Sequence, residues 1–169
     1  MGECSGVEMK EEIKVGIADY KISKAPNRII TLGLGSCVGI CIYDKFSNIG
    51  GLAHIMLPNS NQFQKGAKKE KFADLAIPQM VQELLDKRTC KKGLVAKIAG
   101  GASMFQFSDK SLIMDIGNRN IIAVHKILQQ LQIPILAEDV GGNSGRTLIL
   151  DLEDKTVQIK TVGQNLKFL

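Results

Sequence analysis

Alternating apolar and polar positions dominate the first part of the chain. Ile13, Val15 and Ile17 recur at every second residue, which is the period of a half-buried β-strand. Apolar and β-branched residues then run from Arg28 to the glycines at 33 and 35, and another strand is predicted over residues 38–43. Residues 44–51 have the composition of a turn, and a strand over residues 52–57 ends at Pro58. The pattern therefore predicts a β-hairpin between residues 38 and 57.

Two later segments have the spacing of amphipathic helices. The first covers residues 72–85, and Pro78 is expected either to kink this helix or to mark its first turn. The second is expected to begin with Asn118 or Asn120 as its N-cap. Its predicted apolar face consists of Ile121, Val124, Leu128 and Leu131. Further strands are predicted over residues 94–99, 133–137, 147–152 and 157–161, and the last two form a hairpin.

About seven strands and two helices, with hairpins at both ends, favour an α+β fold. Its sheets should be mixed or antiparallel with the helices on one side, rather than alternating βαβ units. No linker, repeat or low-complexity segment divides the sequence. We therefore expect residues 1–169 to form one domain, with residues 1–12 as a flexible N-terminus.

The composition limits the class of protein. The chain has 169 residues, of which 44% are apolar and 23% charged, as is typical of a soluble globular protein. Residues 1–14 lack the features of a signal peptide, and no segment approaches the roughly 18 apolar residues of a membrane helix. We therefore expect a cytoplasmic protein without membrane insertion, whose cysteines at 4, 37, 41 and 90 are reduced thiols.

The net charge of +5 comes with basic clusters in residues 65–71 and 87–92. Nucleic-acid modules usually combine such clusters with stacking aromatic residues. Only Phe63 and Phe72 lie near a cluster here, so no nucleic-acid partner is expected. The clusters are either a solvated surface or a contact for an acidic protein.

The predicted hairpin carries the strongest candidate chemistry, a cysteine and a histidine 17 residues apart. Strand alternation places Cys37, Gly39 and Cys41 on one face, and Gly39 should leave space beside the thiols. A tight turn at residues 45–46 would place Cys37 directly opposite His54. A longer turn shifts this register, and a shift of one residue moves His54 to the other face, so the facing stays open.

A cysteine within hydrogen-bond distance of a histidine can form a thiolate–imidazolium pair that attacks acyl carbons. Backbone N–H groups of the glycine-rich segment, with Gly35 and Ser36 as candidates, could stabilise the resulting oxyanion. Alternatively, Cys37 is a small buried apolar residue and His54 is a hydrogen-bonded structural histidine. The residues alone leave both interpretations open.

The other candidates are weaker. We expect Cys41 to belong to the core and His125 to be structural, while Cys4 and Cys90 have no histidine nearby. Two histidines and scattered cysteines do not supply a zinc site. Val38 replaces the third glycine of the dinucleotide-binding fingerprint, and no Walker-type motif is present. Neither a metal nor a cofactor is therefore expected.

Five ordered blocks of the sequence are distinctive: Thr31-Leu-Gly-Leu-Gly-Ser-Cys37-Val-Gly39, Gly50-Gly-Leu-Ala-His54-Ile-Met-Leu-Pro58, Lys97-Ile-Ala-Gly-Gly-Ala-Ser-Met-Phe105, Ile116-Gly-Asn-Arg-Asn120 and Asp139-Val-Gly-Gly-Asn-Ser-Gly-Arg146. In these blocks and their order the chain resembles the CheD family, the chemoreceptor glutamine deamidases of bacterial and archaeal chemotaxis. The resemblance extends over nearly the whole chain, from about Ile13 to Val162.

The resemblance implies a three-layer α/β/β sandwich, similar to the catalytic domain of cytotoxic necrotizing factor toxins. It also implies an amidohydrolase that converts receptor glutamines to glutamate through a thioester and releases ammonia. Cys37 would be the nucleophile, His54 the base and Thr31 the third member of a triad. Its implied partners are the cytoplasmic helices of methyl-accepting receptors and the phosphatase CheC, with Phe105 as a candidate contact. A non-catalytic adaptor that binds receptors and CheC is the alternative.

Overall fold

The computed structural model describes residues 9–61, 66–103 and 115–169. Within these ranges the chain forms ten β-strands and two α-helices. The elements are β1 (Glu12–Val15), β2 (Asp19–Lys24), β3 (Arg28–Leu34), β4 (Val38–Asp44), β5 (Ile49–Ile55), α1 (Ala73–Asp86), β6 (Leu94–Gly100), α2 (Ile116–Gln130), β7 (Ile135–Val140), β8 (Arg146–Asp151), β9 (Val157–Thr161) and β10 (Lys167–Phe168).

The strands form two five-stranded sheets. The first, called the outer sheet here, has the order β1-β3-β8-β9-β10, and the second, the central sheet, has the order β2-β5-β4-β6-β7. The pairs β1–β3 and β6–β7 are parallel and the other pairs are antiparallel. Helix α2 connects the parallel strands β6 and β7. The predicted mixed sheets are confirmed.

Strand alternation divides the core into two layers. Ile40 and Ile42 of β4 pack with Met80 of α1 and Val124 of α2, so both helices cover one face of the central sheet. Cys41 lies on the opposite face, where it packs in a second core with outer-sheet residues such as Leu148 and Leu150. The result is the predicted α/β/β sandwich, with the helices on one side.

Some details differ from the sequence prediction. The N-cap of α2 is Asp115, whose carboxylate accepts the Asn118 N–H (3.3 Å), and not Asn118 or Asn120. Pro78 lies inside α1, beyond its first turn. Strand β2 was not predicted because it contributes only Tyr20 and Ile22 to the core and is an edge strand. Within the described ranges, none of the helices combines the length and the apolar character that a membrane span requires.

Candidate active site

Thr31 joins the two sheets through its hydroxyl. The residue lies in β3, is 1% exposed and faces the layer between the sheets. Its Oγ1 lies 2.8 Å from the Val15 carbonyl oxygen and 2.7 Å from Nδ1 of His54. The carbonyl can only accept, so the single hydroxyl proton goes to Val15 and Nδ1 of His54 must donate. The proton of the neutral imidazole is therefore on Nδ1, and Nε2 keeps a free lone pair.

His54 is completely buried in the central sheet. Burial lowers its pKa to about 4, so the imidazole is neutral at pH 7. Its Nε2 has no hydrogen-bond partner among the described residues. A neutral imidazole with a fixed tautomer and an uncommitted nitrogen is able to accept a proton at that nitrogen.

The hairpin register decides which face His54 occupies. Gly39 pairs with His54, and the connecting turn covers residues 45–48. The predicted tight-turn register, with Cys37 directly opposite His54, is therefore wrong by two residues. A shift of two keeps the face, so His54 lies on the same side of the sheet as Gly39 and Cys37. Cys37, which directly precedes β4, becomes the diagonal neighbour of His54, and such neighbours lie roughly 7–8 Å apart.

The expected space beside Gly39 is occupied. An added Cβ there would lie 2.7 Å from Cδ2 of Leu148 and 2.9 Å from Cδ1 of Leu34. Both leucines belong to the core between the sheets. Gly39 thus allows two apolar side chains to pack on the strand next to His54, and it does not create an open cavity there.

A β-bulge precedes the cysteine. Thr31 pairs with Leu148 and Leu34 with Arg146, so β3 contains one more residue than β8 over this interval. Gly33 within the bulge has φ +70°, a conformation that L-residues seldom adopt. Residues 35–37, called the Cys37 loop below, then carry the chain from the outer sheet to the central sheet.

Cys37 is half-buried against the core between the sheets. Burial raises the pKa of its thiol, while its own backbone N–H favours the thiolate and acts in the opposite direction. Because the histidine is also neutral, the pair in the free protein consists of a thiol and an imidazole. This differs from the thiolate–imidazolium pair considered from the sequence.

All three carbonyl groups of the Cys37 loop accept hydrogen bonds from outside it. The donors belong to the segment after β6 and to helix α2, so these hydrogen bonds fix the carbonyl side of the loop in place. The bonds join Ala102 N–H to Gly35 O (2.7 Å), Asn120 Nδ2 to Ser36 O (2.9 Å) and Gly101 N–H to Cys37 O (2.7 Å).

The N–H groups of the loop differ in availability. The Gly35 N–H donates to the Gly33 carbonyl oxygen at 3.1 Å. The N–H groups of Ser36 and Cys37 have no backbone acceptor among the described residues. Of the two oxyanion candidates, Ser36 therefore has the uncommitted donor.

Comparison with known proteins identifies the family. A sequence profile described as "CheD chemotactic sensory transduction" matches residues 56–161. A protein of Clostridium kluyveri named "Probable chemoreceptor glutamine deamidase CheD" is 59% identical over 157 residues, which cover 93% of this chain and 97% of the relative. The chain belongs to the CheD family. Proteins of the same name are 55% identical over 94% of this chain and 98% of the relative in Clostridium novyi, and 59% identical over 93% of this chain and 97% of the relative in Clostridium botulinum strain Hall.

The profile match begins at residue 56, so Thr31, Cys37 and His54 precede it. The case for these residues in this CheD chain comes from their geometry. Thr31 and His54 are in contact, and Cys37 lies on the same face as His54. Phe105 and Cys4 lie outside the described residues.

The remaining candidates of this CheD chain lie away from the site. Cys41 is buried in the core, as predicted, and burial raises its pKa. Cys90 is exposed, and all three described cysteines are free thiols. His125 lies near the surface with Nε2 2.7 Å from the Glu138 carboxylate. Within the described ranges, no group of three or more His, Cys, Asp or Glu side chains could hold a metal.

Asn120 is a buried polar residue whose contacts were not predicted from the sequence. It is fully buried, and Nδ2 donates to the carbonyl oxygens of Ser36 and Met56, each at 2.9 Å. Its position was a usable signal. Asn120 precedes Val124 by four residues and Leu128 by eight, so helical spacing places an amide on the core-facing side.

Proposed function

We propose that this CheD-family protein is a protein-glutamine deamidase that acts on chemoreceptors. The names of its relatives support the activity and the substrate class. The observation that carries the chemistry is the hydrogen bond from His54 to Thr31, which leaves Nε2 free and unprotonated. Cys37 is then the nucleophile, His54 the base, and Thr31 the residue that orients the imidazole.

The first step forms a thioester. Nε2 of His54 takes the thiol proton as Sγ of Cys37 attacks the carboxamide carbon of a receptor glutamine. Because burial favours the neutral forms of both groups, proton transfer accompanies the attack. The N–H groups of Ser36 and Cys37, which have no backbone acceptor among the described residues, are the donors suited to stabilise the oxyanion. The imidazolium then gives its proton to the leaving nitrogen, and ammonia departs as the C–N bond breaks.

The second step releases glutamate. Nε2 of His54 takes a proton from water, and the hydroxide oxygen attacks the thioester carbon. The C–S bond breaks, the thiolate recovers its proton from the imidazolium, and the receptor side chain leaves as a carboxylic acid. No other group is needed to balance the reaction.

A non-catalytic adaptor is the second candidate. The observation that favours it is the raised pKa of the Cys37 thiol, because a protonated thiol is a poor nucleophile without a base. In either case the partners would be the cytoplasmic helices of receptors and the phosphatase CheC. The exposed basic residues around Lys68 and Lys91 are a suitable contact for acidic segments.

Mass spectrometry of receptor cytoplasmic fragments tests the enzymatic proposal. After incubation with the protein, glutamine-containing peptides should gain the mass of one amide-to-acid conversion. Cys37→Ala should abolish the gain, whereas Cys41→Ala, which removes the buried thiol two positions beyond Gly39, should retain it. Deamidation by Cys37→Ala at the wild-type rate would refute the mechanism. Binding to fragments or CheC without any deamidation would establish the adaptor.

A further inference from the structure

We propose that Asn120 is a positioning residue, which sets the distance between the Cys37 loop and the end of the His54 strand. The inference rests on the proposed function, in which these two segments carry the nucleophile and the base. Its basis is that one buried side chain donates to Ser36 O and to Met56 O, each at 2.9 Å.

Asn120 acts where the backbone ladder ends. The regular pairing of β4 with β5 extends to Val38 and Ile55. Ser36 and Met56 lie beyond that pair, on the same side of it as Cys37. With its two amide protons, Asn120 connects the strands at the point where the backbone pairing no longer does. A short rigid link there fixes how far the loop can separate from the strand that holds His54.

Both ends of the link are themselves held. On the loop side, the Gly101 N–H donates to Cys37 O at 2.7 Å. On the strand side, the Met56 N–H donates to Lys71 O at 2.9 Å. Helix α2 is held closely against the same segment, because an added Cβ at Gly117 would lie 2.5 Å from the Gly101 carbonyl oxygen. Asn120, one turn further along α2, therefore has little freedom to move.

Packing alone does not explain an asparagine at this position. Two facing carbonyl groups require a donor, so the orientation of the amide is fixed and Oδ1 points elsewhere. Oδ1 is buried without a partner among the described residues, which is unfavourable. An apolar residue would fill the same helix face without that penalty. The hydrogen bonds from Nδ2 to Ser36 O and Met56 O therefore explain why an asparagine occupies this position.

Steady-state deamidation of receptor fragments by Asn120→Leu is the first test. Leucine retains the size and loses both donors, so we expect kcat to fall at least about tenfold with KM within about threefold of wild type. Val124→Ala, one turn along the same buried face, is the matched control for destabilisation of α2. It should keep kcat within about twofold under conditions where both variants are folded. Asn120→Ser, which retains one donor, should be intermediate.

Histidine NMR supplies a second readout that needs no activity. The chain has two histidines, so His125→Gln assigns the His54 signals. Loosening by Asn120→Leu or Asn120→Ser should admit water and raise the pKa of His54 towards 6.5, while Val124→Ala should leave it unchanged. If the pKa of His54 in both Asn120 variants equals the wild-type value, the inference is overturned. It is also overturned if Val124→Ala loses as much kcat as Asn120→Leu does. If the wild-type protein does not deamidate, the proposed function fails and the titration alone decides the role of Asn120.

Discussion

Thr31 and His54 form a hydrogen bond of 2.7 Å across the layer between the sheets. The threonine accepts because its own proton is committed to the Val15 carbonyl at 2.8 Å. A side chain of the outer sheet thus determines which nitrogen of a central-sheet histidine carries the proton. The packing of the two sheets therefore sets the chemistry of His54 directly.

Replacing Thr31 with valine tests this relationship. Valine removes the hydroxyl and leaves Nδ1 of His54 buried without a partner, so either nitrogen can carry the proton. We expect deamidation to slow by about 10²-fold, in the range of a lost acid–base contribution, and the free energy of unfolding to fall by about 1–3 kcal/mol. Mass-spectrometric rates and urea unfolding measure the two effects.

Thr31→Ser is the matched control, because it keeps the hydroxyl and removes only a methyl group. It should retain deamidation within a few-fold of wild type. If serine and valine slow the reaction equally, the hydroxyl does not orient His54 and the loss comes from packing.

The pH dependence of deamidation should reflect the low pKa of His54. Burial lowers that pKa to about 4, so the imidazole is unprotonated at pH values far below the usual titration range of histidine. We expect the acid limb of kcat/KM, which reports the free enzyme, to have its midpoint near pH 4 to 5. Rates of ammonia release between pH 4 and 8 measure it. A midpoint near 6.5 would show that water reaches His54 in the free protein.

The stability of the protein should also depend on His54. Between pH 6.5 and about 4 the unfolded chain binds a proton at this residue that the folded chain excludes, so the free energy of unfolding decreases as the pH falls. The difference between the two pKa values corresponds to about 3 kcal/mol once pH 4 is reached. Well above pH 6.5 both states are neutral and the contribution vanishes.

Urea unfolding of wild type and His54→Gln at pH 7 and pH 4.5 measures this effect. Other groups titrate in both proteins, so the difference between their two slopes isolates His54. The wild type should lose more stability on acidification than His54→Gln does. Equal losses would contradict the burial of a neutral imidazole.

The sequence indicated the site because strand alternation has a period of two. Cys37 and His54 share a face for any even register shift, so a turn longer than expected did not separate them. The offset between Cys37 and His54 along the strands depends on the turn at residues 45–48, and the polar composition of this turn does not fix its length. The shared face of Cys37 and His54 was therefore predictable for every even register shift, whereas their diagonal placement was not.

Hydrophobic periodicity could not predict contacts between segments that are distant in sequence. Thr31 came from family resemblance, since no local periodicity links a β3 threonine to a β5 histidine. From the sequence, Asn120 was a candidate N-cap and the last residue of a family block, and its hydrogen bonds to Ser36 and Met56 were not predicted. The carbonyl groups that it binds belong to segments 84 and 64 residues away in sequence. Such contacts follow from the packing of α2 over the central sheet, which depends on the whole fold.

Gly100→Ala should damage the Cys37 loop through the backbone. Gly100 has φ +114°, and an added Cβ would collide with the Cys37 carbonyl oxygen, a backbone atom that cannot rotate away. Strain at such a φ costs about 1–3 kcal/mol before the collision is counted. We expect a loss of unfolding free energy of at least about 2 kcal/mol and a large loss of deamidation, measured by urea unfolding and peptide mass spectrometry.

Gly16→Ala is the control, because nothing lies within 4 Å of its added Cβ, and it should change stability by less than about 1 kcal/mol. Wild-type stability in Gly100→Ala would contradict the close approach of Gly100 to the Cys37 backbone.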